Sequence, residues 1–534
     1  MEYGSLGAKS GTAIEILDTT LRDGAQAEGI SFSLHDKIAV AKSLDRLGVA
    51  YIEAGNPGSN PKDIDFFRAA SQLELEHAIL CAFGATRKKG TVPGKDEGVM
   101  SLLAAGTSTV VIFGKSWDLH VVEVLRATHE ENLAMIADTI SFFKDKGKEV
   151  IYDAEHFFDG YRHNRDYALA SIAAAAEAGA DCIVLCDTNG GSFPDLIMTG
   201  VQEILRIHGG RIGIHAHNDA GMAVANSLMA VKSGACHVQG TLVGFGERCG
   251  NAALSAIVPS IKLKMNMPCL PEPNLPLLSE TARKIAEIAN VPLPDDMPYV
   301  GIRAFAHKAG MHADGILKTT SSFEHVEPES VGNSRRFLMS EMGGRAAIAE
   351  KIKNYEPQAT KDHPAVKALS SKLKEFEAEG WQFESADASF EIMALRELGK
   401  YRSFFKLERY EVQSRYPSLK HNAGASAWVK ISVGDTEEIA ASEGNGPVNA
   451  LDSALRKALQ RFYPELSKIR LTDYKVRVID SISATSAKVR VLIETTDGER
   501  VWSTVGVSTN IIDASAMALV DSIEYCLLRI ASAF

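Results

Sequence analysis

The chain has 534 residues, with Lys+Arg 57 against Asp+Glu 68 and a formal net charge of −11. This acidic balance excludes a dedicated nucleic-acid or anionic-membrane binder, both of which need a basic surface. A hydrophobic content of 45% with 23% charged residues excludes a mainly disordered chain.

From residue 12 to 243 one pattern returns, a short β-branched run followed by a helical stretch rich in Ala and Leu. The runs are AIEIL (13–17), AYIEA (50–54), AILCAF (78–83), TVVIF (109–113), EVIYDA (149–154), DCIVLC (181–186), RIGIHA (211–216) and HVQGTLV (237–243). Their near-continuous apolarity marks strands buried on both faces. The segment SLHDKIAVAKSLDRLG, with Ile38, Ala41, Leu44 and Leu47 on one face, typifies the helices between them. Eight β/α units predict a (β/α)8 TIM barrel over 1–267.

Residues 268–298 hold seven of the 18 prolines, which predicts extended connections and a boundary. A linker and helical subdomain region is expected over 268–387, with Val366, Leu369, Leu373 and Phe376 as a helical stripe. Over 388–534 a strand–turn–strand–bend–helix order occurs twice, first in AWVKISVGDTEEIAASEGNGPVNALDSALRKAL. It returns in KVRVLIETTDGERVWSTVGVSTNIIDASAMALVDSIEYCLL, with Asp497-Gly498 as a hairpin turn. The expectation is a two-layer α+β domain built from a β-β-α repeat.

The seven cysteines are odd in number and scattered. No secretory signal precedes them, and no apolar run nears the ~18 residues of a membrane span. They are read as free thiols in a cytoplasmic protein, with Cys182 and Cys186 as core rather than metal ligands.

In a TIM barrel, reactive groups sit at the carboxyl ends of the strands. His215 and His217 alternate with Ala216, so both face the same side, about 7 Å apart along the strand. With Asp18, from a first strand that closes beside the eighth, they predict a two-His, one-carboxylate metal site with open positions, and Asn251 as a supporting oxygen. Arg22 lies one turn on, where a guanidinium can stabilise an oxyanion. Glu155, ending a buried strand, suits proton transfer, and Thr188 offers a hydroxyl to a carboxylate. Gly244–Gly250 is wrongly spaced for a dinucleotide loop, His129-Glu130-Glu131-Asn132 lacks the second His of a zincin helix, and no Walker loop is present.

The motifs DTTLRDG (18–24), HAHND (215–219), GFGERCGN (244–251), HKAGMHADG (307–315) and GNGPVNAL (444–451) together resemble the metal-dependent Claisen-condensing enzymes built on a TIM barrel. That family includes the isopropylmalate, homocitrate and citramalate synthases. The stretches EAGNPGSNPKD (53–63), DAEHFFDGY (153–161) and CDTNGG (186–191) look most like its citramalate synthase group.

The resemblance implies a divalent metal ion (Mn2+, Mg2+ or Zn2+) on Asp18, His215, His217 and Asn251, chelated by a 2-oxo acid whose carboxylate also meets Thr188. It implies Arg22 for the developing charge and Glu155 for proton transfer. His312 and Asp314, often reaching the site across a homodimer, would help activate acetyl-CoA and hydrolyse the product thioester. The implied reaction joins acetyl-CoA, pyruvate and water into citramalate and CoA, on a route to isoleucine. Asp153 shares the inward face of Glu155, where relatives carry an aromatic or small residue that sizes the oxo-acid pocket.

The run Gly315-Ile316-Leu317-Lys318 is closer to the isopropylmalate type, so condensation with 3-methyl-2-oxobutanoate stays open. So does a non-catalytic amino-acid sensor on the same scaffold. A lyase is disfavoured, because the loop after the eighth strand lacks the catalytic cysteine signature of the hydroxymethylglutaryl-CoA lyases. The last domain resembles a dimeric regulatory module, implying a branched-chain amino-acid effector, isoleucine above all. The bends carrying Gly444, Gly446 and Pro447, and Gly506 and Ile511, are where backbone could approach it.

Overall fold

The structure is a computed structural model and describes residues 13–339, 344–414, 424–479 and 486–531. It divides into two compact units, Met1–Phe305 with Val326–Ser334, and Ala306–His325 with Arg335–Phe534.

The first unit is the expected closed barrel of eight parallel strands in sequential order. These are β1 (Glu15–Asp18), β2 (Tyr51–Glu53), β3 (Ile79–Ala85), β4 (Thr109–Lys115), β5 (Glu149–Glu155), β6 (Cys182–Asp187), β7 (Arg211–Ala216) and β8 (His237–Gly240). Closure comes from β1 pairing with β8, Glu15 opposite His237 and Asp18 opposite Gly240. The helices follow from local chemistry as well as apolar stripes. Helix Leu34–Leu47 starts on a capping box between Ser33 and Asp36 and ends on Gly48 at φ 95°, a left-handed backbone that glycine adopts at no steric cost.

Alternation along the strands sorts the side chains into two cores. Leu17, Tyr51, Cys81, Val111, Ile151, Cys182, Val184 and Cys186 cluster together, and they fill the barrel. Their strand neighbours, such as Ile16, Ile52, Val110, Val150 and Ile214, belong instead to the large core shared with the helices. Cys182 and Cys186 are therefore packing residues, and all seven cysteines are free. Below this apolar plug, the amino-terminal end is closed by polar groups. Arg211 pairs with Glu15 and Glu149, Tyr51 and Thr109 donate to Glu149, and His237 meets Glu15 at 3.3 Å.

The proline-rich stretch does not stand apart as a connection. Leu270, Leu275, Leu278, Ala282 and Ile285 are buried in the same core as the barrel, and Ile14 N donates to Pro268 O at 2.8 Å. Apolar residues at helical spacing along Leu278–Ile288 give this segment a face to bury.

In the second unit, β9 (Ala306–His307) pairs in parallel with β10 (Arg336–Phe337). The stripe on helix Pro364–Ala378 is buried at Val366, Leu369 and Leu373. Two antiparallel sheets follow, β11 (Lys406–Ser414), β12 (Ala425–Val433) and β13 (Thr436–Gly444), then β14 (Arg470–Val478), β15 (Val489–Thr496) and β16 (Val501–Ser508). Each leads into a helix, Pro447–Leu459 or Ile511–Ala531. The repeat is thus β-β-β-α, one strand longer per half than the sequence pattern predicts. Both halves carry a register shift at the same place in the added strand, between Leu407 and Arg409 and between Leu471 and Asp473. The Asp497-Gly498 turn is present, with Asp497 Oδ1 accepting from Arg500 N at 2.7 Å. No helix among the described residues is long and apolar enough to cross a membrane.

Gly444, the last residue of β13, and Gly506, two residues before the end of β16, serve strand–helix packing. A Cβ on Gly444 would lie 2.5 Å from Ala450 N, and one on Gly506 2.0 Å from Ala514 O, whereas one on Gly446 would meet nothing within 4 Å. Gly506→Ala should therefore destabilise by about 3 kcal/mol or more, at the upper end of overpacking costs. Gly446→Ala should stay within about 0.5 kcal/mol. Denaturant midpoints of the two variants check this; equal shifts would contradict the packing account.

Candidate active site

A cavity of about 250 Å³ opens among the carboxyl ends of the barrel strands. Every strand residue that reaches it has inward parity. β5 supplies Asp153 and Glu155, and β7 aims His215 inward, with His217 two residues on. β3 and β4 supply Phe83 and Phe113, whose rings stack at 5.1 Å.

After β1 the chain folds back on itself. Arg22 N and Gly24 N donate to Thr19 O at 3.1 and 3.0 Å, and Asp23 N donates to Thr19 Oγ1 at 3.2 Å. This turn lays Arg22 and Asp23 over the mouth. The Arg22 guanidinium sits 3.8 Å from the Phe83 ring centroid. It is held by Glu53 at 2.5 Å and Asp23 at 3.0 Å. Burial alone would lower its pKa, but Glu53 and then Asp23 raise it, so it stays charged.

Asp23, His215 and His217 bring one ligand atom each to within 4.8 Å of one another. The two Nε2 atoms are 3.3 Å apart, and Asp23 Oδ2 lies 3.6 and 3.9 Å from them. Two imidazoles on one cation at about 2.1 Å would sit about 3.0–3.4 Å apart, so the spacing fits a bound divalent ion. Protonation states fit as well. Burial pushes the Asp23 carboxyl up, but Arg22 and the two imidazoles outweigh it and hold it well below the usual range. Burial and the neighbouring His215 lower His217 to about 4, leaving a neutral imidazole free to ligate.

Asn251 adds a third observation. Its Nδ2 donates to Phe245 O at 3.1 Å, while its buried Oδ1 has no hydrogen-bond partner among the described residues. The residue bridges to His217. The loop is folded onto it through Gly246, at φ 155°, where a Cβ would lie 2.3 Å from Asn251 Nδ2.

The carboxylate beside the imidazoles corrects the expectation for Asp18. Leu17 points into the barrel, so Asp18 points out, where its Oδ1 accepts from Thr20 N at 2.8 Å. It is wholly buried there, and burial raises its pKa to about 7. Asp23 takes the place that Asp18 was expected to fill.

The other expected residues fall as follows. Glu155 faces the cavity and is ion-paired with Lys115. Thr188 lines the cavity, its Oγ1 accepting from His156 N at 2.9 Å. Asp153 is buried and accepts from Gln239 Nε2 at 2.9 Å; burial first, and Glu53 second, raise its pKa well above the ordinary value. His312 and Asp314 belong to the second unit, on helix Gly310–Lys318. There the His312 ring stacks on Phe323 at 4.1 Å and Asp314 pairs with Lys318 at 2.5 Å. Glu53, Lys115 and Gln239 were not singled out in the sequence, although each occupies an inward position of a barrel strand. A larger cavity of about 630 Å³ lies in the second unit beside Trp381, Phe383 and Tyr410.

Comparisons with known proteins agree with this architecture. Residues 13–284 match the HMGL-like family, 299–380 the homocitrate synthase post-HMGL domain-like family, and 384–527 the LeuA allosteric (dimerisation) domain. The chain is 50% identical to an (R)-citramalate synthase of Aquifex aeolicus, over 97% of this chain and 98% of that protein. It is 47% identical to one of Synechocystis sp., over 96% of each. A probable 2-isopropylmalate synthase of Methanopyrus kandleri is more distant, 31% identical over 96% of this chain and 98% of that protein. With a barrel, a following domain and a regulatory domain all matched in order, the chain belongs to the (R)-citramalate synthase family of HMGL-like enzymes.

Proposed function

We propose that the chain condenses acetyl-CoA with pyruvate and water to give (R)-citramalate and CoA. The observation that carries this reading is the convergence of Asp23 and two imidazole Nε2 atoms beside a charged, anchored guanidinium in one small cavity.

Asp23, His215 and His217 would hold a divalent cation, with Asn251 Oδ1 in support; a bound cation of this kind supplies Lewis-acid polarisation of the ketone. Arg22, its charge fixed by Glu53 and Asp23, faces oxygen atoms on which negative charge grows as the new carbon–carbon bond forms. Thr188 Oγ1 binds the oxo-acid carboxylate. The Glu155 carboxylate, oriented by Lys115, takes a proton from the acetyl methyl group, whose carbon then attacks the ketone carbon. The alkoxide formed gains a proton, and water cleaves the thioester with CoA thiol leaving. His312 and Asp314 would assist those acetyl-CoA steps. Phe83, Phe113 and the buried Asp153 line the same cavity of about 250 Å³ and would form the wall that meets the oxo-acid side chain. The match to a LeuA allosteric (dimerisation) domain supports a homodimer under isoleucine feedback, and the biosynthetic reading supports a cytoplasmic enzyme.

Thiol release measured with pyruvate and with 3-methyl-2-oxobutanoate, each with and without isoleucine and leucine, tests the reaction. Pyruvate should be favoured by at least about tenfold in kcat/KM, with isoleucine the stronger inhibitor; preference for the branched acid would overturn the assignment. The two aspartates separate cleanly in a Mn2+ titration. Asp23→Asn should weaken binding at least about a hundredfold, since it removes a charged ligand. Asp18→Asn should leave it within about threefold, and the reverse outcome would restore Asp18 as the ligand.

A further inference from the structure

Gln239 sits on β8, fully buried, between the cation ligands and the oxo-acid wall. Its Oε1 is 2.9 Å from His215 Nδ1 and its Nε2 is 2.9 Å from Asp153 Oδ1. A carboxamide oxygen only accepts and its nitrogen only donates. In this arrangement a neutral His215 ring carries its proton on Nδ1, which leaves Nε2 with a bare lone pair. That is the nitrogen lying 3.3 Å from His217 Nε2 and 3.6 Å from Asp23 Oδ2. The opposite tautomer would aim an N–H at the place a cation held by these three residues would occupy. A hydrogen bond to the remote nitrogen commonly sets which nitrogen of a ligating histidine is free.

We propose that Gln239 is a positioning residue that fixes the ligating tautomer of His215 and, through Asp153, ties the oxo-acid wall to the cation site. The proposal rests on the metal-site reading above. Its two ends are chemically distinct, so they can be broken separately. Gln239→Met keeps the volume and removes both hydrogen bonds. Gln239→Glu keeps the acceptor for His215 Nδ1 and removes the donor to Asp153.

The test uses the full-length protein with Mn2+ as the probe, followed by EPR titration, together with 15N NMR of the His215 imidazole in metal-free protein. The wild type should show the Nδ1–H tautomer before any metal is added. Gln239→Met should bind Mn2+ about 10- to 100-fold more weakly with a folded spectrum. Gln239→Glu should bind within about threefold of the wild type while raising the pyruvate KM about tenfold. An Nε2–H tautomer in the wild type, wild-type affinity in Gln239→Met, or equal loss of Mn2+ in both variants would each overturn the role. Failure of the wild type to bind Mn2+ would instead overturn the metal site itself. Those two failures stay distinct, because the tautomer is read without metal and without either variant.

Discussion

A closed parallel barrel admits a side chain to its mouth only from every second residue of a strand, and that restriction organises the whole reaction centre. Once Leu17, Ile151 and Val184 point inward, Asp153, Glu155 and His215 are committed to the same side, each an even number of residues from an inward position on its own strand or its neighbour. Gln239 follows from Val238 pointing outward. The two groups that do not come from strands, Arg22 and Asp23, are delivered by a turn in which the amides of Arg22, Asp23 and Gly24 all donate back to Thr19. A one-residue slip in any strand would swap its chemical set for an apolar one.

The mouth holds several ionisable groups at close quarters and gives them different charges. Pairing decides Arg22 and Asp23. An unpaired buried guanidinium would be costly, and Glu53 at 2.5 Å with Asp23 at 3.0 Å offsets that cost while fixing its direction. Asp23 is ionised because one cation and two imidazoles outweigh its burial. For Asp153, burial and then Glu53 outweigh the Gln239 amide donor and Arg22, so its pKa rises well above the ordinary carboxylate value. The apolar plug of Leu17, Val111, Ile151 and Val184 beneath excludes water from one side and makes these interactions stronger than they would be at a surface.

Much of this was legible in the sequence, because parallel strands buried on both faces announce themselves as apolar runs; all eight barrel strands lie at the predicted runs. The His215–His217 pair was legible for the same reason, since alternation alone puts both on one side. The same rule applied to Asp18 would have set it on the outer face with Ile16, but the turn that brings Asp23 back over the mouth depends on hydroxyl and backbone bonds that carry no periodic signal. β11 and β14 escaped for a different reason. Their apolar residues run Leu407, Tyr410, Val412 and Leu471, Tyr474, Val476, and the register shift after each leucine breaks the two-residue period by one. A bulge of this kind hides a strand from a pattern search. The proline-rich stretch misled because prolines mark where the backbone donates nothing, while burial is decided by the leucines between them.

The repeated unit of the C-terminal region carries its own constraint. Each three-stranded sheet delivers its last strand into a helix through a glycine against which the helix backbone closes, Gly444 on Ala450 and Gly506 on Ala514. Helices pressed this close bury Leu451, Leu455 and Leu459 in one half, and Leu519 and Ile523 in the other, within one continuous core. Because both halves contribute to that core, neither can shift on its own sheet without disturbing the other, as dense packing transmits displacement rather than absorbing it. A ligand that parted one glycine–helix contact would therefore be felt across both halves, which gives this unit the stiffness that a regulatory element needs.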